Sequence, residues 1–214
     1  MGFEIDPAIF LIFPVMLFSL SVHECAHALV AWWGGDDTSR LLGRITLNPI
    51  SHIDIFGTII IPIIAAISSL PLIGWAKLVP VNISRLKRPY WDVLVTLAGP
   101  VSNLILALIA TLLLRMCHSF ELENEVILKL GFYFIVTNVT LFIFNLIPIP
   151  PLDGSRILFH YVVNGRPQFY RAWETVERFS IIFLYLIVSV SFTRNLMVMA
   201  TRGLAEPMFK FIGL

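Results

Sequence analysis

The chain has 214 residues, a net charge of +1, 57% hydrophobic residues and only 14% charged ones, where a soluble domain carries about a quarter. That balance, with a mean hydropathy of +0.85, excludes an ordinary soluble fold and predicts an all-α, polytopic integral membrane protein. No basic run offers a footprint for nucleic acid, and Cys25 and Cys117 alone give no disulfide framework.

Taken in chain order, apolar segments fall at about 8–33, 55–75, 91–116, 126–150 and 179–201, with no internal repeat among them. The opening MGFEIDPAIF lacks the positive n-region and cleavage site of a signal peptide, so the first segment is expected to be retained. The connections 34–54, 76–90 and 155–178 carry arginine or lysine, whereas 117–125 carries Glu121, Glu123 and Glu125 and no basic residue. The positive-inside rule assigns the three basic connections to the cytoplasm and the acidic one to the outside. Both neighbours of 55–75 then lie on one side, so that segment is expected to dip in and return. Gly57, Pro62, Pro71 and Gly74 interrupt it, and arms of about ten residues cannot each cross ~30 Å of hydrocarbon as helices. The expected scheme is four full spans, a re-entrant hairpin and both termini outside. It forms a single domain over 1–214, with a catalytic core at about 8–160 and a C-terminal transmembrane segment at about 179–201.

The first span contains SVHECAHALVAWWGG. His23 and His27, four residues apart, share one helix face at a rise of ~6 Å, close enough for one ion. Glu24 lies about 100° around from His23, where it can act on water at that ion. This is the H-E-x-x-H pattern of zinc peptidases, with the glutamate as general base. An interfacial position would make these residues cheap, but His27 and His23 lie ~10 and ~16 Å inside the helix end at Gly34. Ionisable groups at such depth are costly and are functional by default.

A catalytic zinc takes three protein ligands and keeps one position open. The third candidate is Asp153, in NLIPIPPLDGSRIL. Pro148, Pro150 and Pro151 stop the preceding helix there. A bland alternative makes Asp153 the cap of an ordinary loop at the membrane edge. The histidines favour the ligand, because both spans run inward and bring the motifs to similar depth.

At these residues the sequence resembles the site-2 protease family of intramembrane zinc metalloproteases (peptidase family M50). HECAH matches the first motif, and Asn145, Pro148, Pro150, Asp153 and Gly154 match the second. GWAKLVPVN and LAGPVSN are similar to connecting segments of the compact prokaryotic branch. The resemblance covers about 15–160. It departs at Ala26, Leu78 and Ser155, none of them a proposed ligand, and brings no PDZ or nucleotide-sensing domain. It implies one Zn2+ per chain on His23, His27 and Asp153, with Glu24 as base or acid and Asn145 beside the metal to orient substrate or stabilise an oxyanion. The implied substrate is a transmembrane protein cut within or near its membrane segment. The implied setting is the lipid bilayer of a prokaryotic inner membrane, with the active site nearer the cytoplasm. Residues 41–49, LLGRITLNP, alternate like a strand and are the expected edge for an unwound substrate, a small membrane-associated β element.

Other polar residues receive plainer expectations. His52 is read as an interfacial or capping residue, His118 as solvated, His160 as surface or packing, and Cys25 as facing away from the histidines. Trp32, Trp33, Trp75 and Trp91 read as interface anchors. Asn103 is assigned, with Gly99, Pro100 and Ser102, to helix packing. Two other classes compete with a protease. A metal transporter would spread its ligands over more helices and often shows repeats. A silent binder of membrane proteins would not need the glutamate.

Overall fold

Hydrocarbon offers no partner to a peptide N–H, so apolar segments of this length close their own hydrogen bonds as helices. In the computed structural model, which describes residues 9–61, 63–64, 76–122 and 124–213, they do so. Helix α1 (Ile9–Gly34) leads to the short α2 (Thr38–Leu41), a 3-10 turn at Pro49–His52 and a π-helical turn at Ile55–Ile60. After a 3-10 turn at Ile83–Arg85 come α3 (Tyr90–Ser119) and α4 (Glu125–Asn145). Then follow α5 (Asp153–Leu158), a π turn at Phe159–Val163, α6 (Pro167–Arg178), α7 (Ser180–Ser189) and α8 (Ser191–Ile212). The all-α polytopic class is thus observed: α1, α3 and α4 are each long and apolar enough to cross a bilayer, and α7 with α8 forms a fourth, bent candidate.

Helices α1, α3 and α4 pack on one another, and α8 packs on α3 and α4. His23 meets Asn103 and His27 meets Val95, so α1 runs antiparallel to α3; Asn103 meets Asn138 and Leu114 meets Gly131, so α3 runs antiparallel to α4 and α1 parallel to it. Ala107, Leu114, Ile135, Val139, Ala205 and Ile212 form the apolar core where α3, α4 and α8 meet. The outward faces stay apolar, with Ile105, Leu112 and Met116 half-exposed or more, as expected where the solvent is lipid.

Two differences from the sequence expectations have physical causes. The segment 179–201 is not one straight span: α7 and α8 meet at 79° across the extended Val190. Summed hydropathy counts residues and is blind to backbone direction. The strand expected at 41–49 is absent, and the described residues contain no strand. Alternation cannot make a strand without a neighbour, and here the polar groups are satisfied locally. Thr46 O accepts from His52 Nε2, Asn48 N donates to Thr46 Oγ1, and Arg44 reaches Ser51 O. Of the expected re-entrant hairpin, 55–61 and 63–64 are helical; its remainder lies outside the described residues.

The connector from Ala76 to Arg88 is sewn to the end of α1, and Asp36 is the main stitch. Its Oδ1 accepts from Thr38 N at 3.1 Å and Thr38 Oγ1 at 2.5 Å, and its Oδ2 accepts from Asn82 N at 2.6 Å. Ser39 Oγ donates to Pro80 O, Lys87 N to Gly34 O at 2.8 Å, and Lys77 N to His52 O at 2.8 Å. Burial acts to raise the Asp36 carboxyl, but the bonds from Thr38 and Asn82 and the nearby Arg85 charge outweigh it and hold it below its ordinary range.

Replacing the buried Asp36 by alanine leaves those amides without an acceptor and should cost about 2 kcal/mol in denaturant unfolding of the detergent-solubilised protein. Folding lowers this carboxyl below its unfolded value of about 3.9. Its contribution is therefore complete above that value and is lost as pH falls through the folded-state value. The gap between wild type and Asp36→Ala should shrink on acidification.

Candidate metal centre

Residues His23, Glu24 and His27 lie in the middle of α1, and all three are buried in the bundle. Chain geometry brings Asp153 to them. Helix α4 stops at Asn145, and a turn-rich stretch through Pro148, Pro150 and Pro151 reverses the chain, with a cis peptide between the last two. Asp153 then opens α5. Gly154 permits the approach: a Cβ there would lie 2.5 Å from the carbonyl carbon of Leu146 and 2.6 Å from Ile147 O. Asp153 Oδ2 comes within 3.1 Å of His23 Nε2 and 3.3 Å of His27 Nε2, and the two Nε2 atoms are 3.0 Å apart.

The protons in this cluster follow from its fixed carbonyls. His27 Nδ1 lies 2.6 Å from Val95 O, which can only accept, so Nδ1 carries the proton. Asn138 Nδ2 donates to Phe134 O at 2.9 Å, which turns Asn138 Oδ1 toward Asn103 Nδ2 at 3.0 Å. That orients Asn103 Oδ1 toward His23 Nδ1 at 2.7 Å, so this nitrogen is also the donor. With both δ nitrogens protonated, neutral imidazoles present bare lone pairs at Nε2. Asp153 Oδ2, buried, receives no hydrogen bond. Three candidate ligand atoms therefore converge within 3.3 Å of one another, an arrangement that a cation satisfies. Two imidazoles and one carboxylate are the donor set of a catalytic zinc with a position left open, and among the described residues this is the cluster of three or more such side chains that can hold an ion.

Helix α3 closes the site from the side. A Cβ on Gly99 would lie 2.5 Å from His23 Nε2 and closer still to His27 Nε2, so the ligand atoms lie directly against the α3 backbone. Glu24 Oε2 accepts from Val79 N at 2.9 Å, so the connector stitched down by Asp36 also fixes this carboxylate. Asn145 ends α4 and donates from Nδ2 to Leu141 O at 3.0 Å, one turn back in its own helix.

Asn103 is the residue that sequence reasoning undervalued. It is fully buried, joins α1, α3 and α4 through His23, Ser19 O and Asn138, and fixes the tautomer of His23. The signal was present: an amide in an apolar span is as costly as a histidine unless paired. His52 is buried in the connection after α2, donating to Thr46 O, and Cys25 is half-buried outside the cluster. His160 is partly buried and packs on α3, its Nδ1 3.1 Å from Asp92 Oδ2.

A family model described as peptidase family M50 matches residues 11–132 and 116–187 of the chain. The Bacillus subtilis protein named "Putative zinc metalloprotease YwhC" is 45% identical over 156 residues, covering 70% of this chain and 68% of that relative. Proteins named "Putative zinc metalloprotease Rip2" are also similar. The one from Mycolicibacterium smegmatis is 30% identical over 174 residues, covering 80% of this chain and 63% of the relative. The one from Mycobacterium tuberculosis strain H37Rv is 31% identical over 173 residues, covering 80% and 63%. The chain thus spans less than two thirds of the length of these last two. No solved structure matches.

Gly99→Ala separates helix stability from site geometry. Alanine gains about 1 kcal/mol of helix propensity over glycine, yet its methyl would occupy the space beside both Nε2 atoms. The variant should remain folded by circular dichroism and lose stoichiometric zinc in metal analysis. Asn103→Ala should weaken zinc binding by about 10–100-fold, the range for removal of a partner that orients a ligand.

Proposed function

Because the chain belongs to peptidase family M50 and its cofactor is accordingly zinc, we propose that it is an intramembrane endopeptidase hydrolysing a peptide bond within or near the transmembrane segment of another membrane protein. One observation carries the reading: three side chains able to hold a metal converge beside a pinned glutamate on a helix long and apolar enough to span a bilayer. His23, His27 and Asp153 would hold the zinc. Bound there, zinc supplies a Lewis acid that polarises a carbonyl and brings the pKa of water near ~7.

The rest of the reaction falls to the chain's own groups. Glu24, one oxygen fixed by Val79 N, takes a proton from the attacking water as its oxygen bonds to the scissile carbonyl carbon. When the C–N bond breaks, Glu24 delivers that proton to the leaving amine. The Asn145 amide gives one N–H to Leu141 O, and its second N–H is assigned to the developing oxyanion, a contribution of ~3 kcal/mol in comparable sites. The substrate helix must unwind locally to expose its peptide bond.

The surroundings follow from the topology we infer. The site lies ~10–16 Å inside the α1 end at Gly34, the end followed by Arg40 and Arg44 and facing the cytoplasm under the positive-inside rule. The single domain works in the lipid bilayer of a prokaryotic inner membrane, with a transmembrane protein as substrate. A metal transporter is disfavoured because the ligands come from two segments and the glutamate beside them is anchored as a base. A silent binder would leave that glutamate without a task.

In detergent, wild type should carry about one zinc per chain, as expected of a three-ligand site, and cleave a model single-span substrate. Glu24→Gln should keep the zinc and lose at least ~100-fold in cleavage rate, and Asp153→Ala should lose metal affinity. Cleavage by Glu24→Gln at the wild-type rate would remove Glu24 from its role. Zinc-free wild type would end the zinc-enzyme reading.

A further inference from the structure

Helix α3 meets the site at four levels. Asn103 orients His23, Gly99 lies against both Nε2 atoms, and Val95 O orients His27. The fourth level is Asp92, in the first turn, whose Oδ2 accepts from His160 Nδ1 at 3.1 Å. His160 sits in the π turn that continues α5, seven residues after Asp153; Asp92 lies seven residues before Gly99. The two segments run antiparallel, so one spacing on each connects the metal centre with the Asp92–His160 bond.

A carboxylate in the first turn of a long helix has an ordinary explanation, since the positive end of the helix dipole favours it there. That explanation fits an exposed acid. Here the side chains of Asp92 and His160 are only 12% and 18% exposed and face each other. Helix α5 packs on α3, but its own short polar contacts run to the preceding turn and not to α3. Gly154 rests on the carbonyls of Leu146 and Ile147, and Ser155 Oγ donates to Leu152 O at 2.6 Å, so both tie Asp153 to the preceding turn. The histidines, in contrast, are oriented by α3. On the far side, Phe159 packs on Tyr170 and Trp173 of α6 at ring distances of 5.9 and 5.4 Å, which backs the π turn without locating it along α3.

We propose that Asp92 and His160 form a positioning clamp that sets the register and rotation of the Asp153 segment against α3, and through it the third ligand of the metal centre. The proposal rests on the zinc reading above. Neither residue belongs to the ligand cluster of His23, His27 and Asp153; both act through Asp153. Without the bond, packing alone holds the segment on α3, and Oδ2 meets the two imidazoles at a less sharply defined distance.

The test uses the full chain in detergent, with zinc affinity measured by chelator competition and the absorption of the Co2+-substituted protein as a report on ligand geometry. Asp92→Ala and His160→Ala should each weaken zinc binding by about 10–100-fold and alter the Co2+ bands. The double variant should be no weaker than the worse single one, because both lose one bond. His160→Asn, which keeps a side-chain N–H, should recover most of the affinity and the wild-type spectrum. Unchanged affinity and spectrum in both alanine variants would overturn the clamp, as would a folded His160→Asn as weak as His160→Ala. Wild type that holds no zinc is a distinct failure, striking the metal centre and removing the clamp with it.

Discussion

Electron-rich atoms repel one another when no proton or cation lies between them, and this chain puts three of them together in the least forgiving solvent available. His23 Nε2, His27 Nε2 and Asp153 Oδ2 lie 3.0–3.3 Å apart. In water such groups would separate and hydrate. Between helices they are held by protons on the opposite ring nitrogens, each donated to a fixed acceptor, so the lone pairs have nowhere else to point. A buried polar group without a partner costs roughly 1–3 kcal/mol on protein scales. The bundle is organised so that one ion relieves three such groups at once.

Much of the remaining structure serves that constraint. The chain reversal after α4 delivers Asp153, and the missing Cβ of Gly154 lets it approach. The connector held by Asp36 delivers Val79 N to Glu24. The buried chain His23–Asn103–Asn138 is a proton-ordered series in which each amide settles the orientation of the next. By contrast, the core of Ala107, Ile135, Val139 and Ile212 is ordinary apolar packing. Polar groups carry the geometry near the site, and side-chain shape carries it elsewhere.

The residues that converge were legible because membrane burial makes ionisable residues informative: His23, Glu24, His27 and Asp153 each contradict their surroundings. The three long helices were legible for the converse reason, since an unbroken apolar run has one low-energy form in lipid. What could not be read depends on relations between distant residues. The alternation at 41–49 resembles a strand, but whether a neighbour exists is not written in those nine letters. The bend at Val190 is a choice of backbone direction that composition does not encode. Asn103 and His160 were read blandly because their partners, His23 and Asp92, lie 80 and 68 residues away.

The stripe on α3 has a consequence for chain length as well as residue identity. Asp92, Val95, Gly99 and Asn103 recur every three or four residues, and between them rise outward, exposed positions such as Leu94 and Val101. The outer positions can exchange one apolar side chain for another with little effect. A single inserted or deleted residue between Asp92 and Asn103 is different in kind. It would rotate everything beyond it by about 100° and shift it by about 1.5 Å, putting every graduation of the ruler out of step together. Over these roughly three turns a lineage can freely redraw the outer surface while remaining unable to change the count.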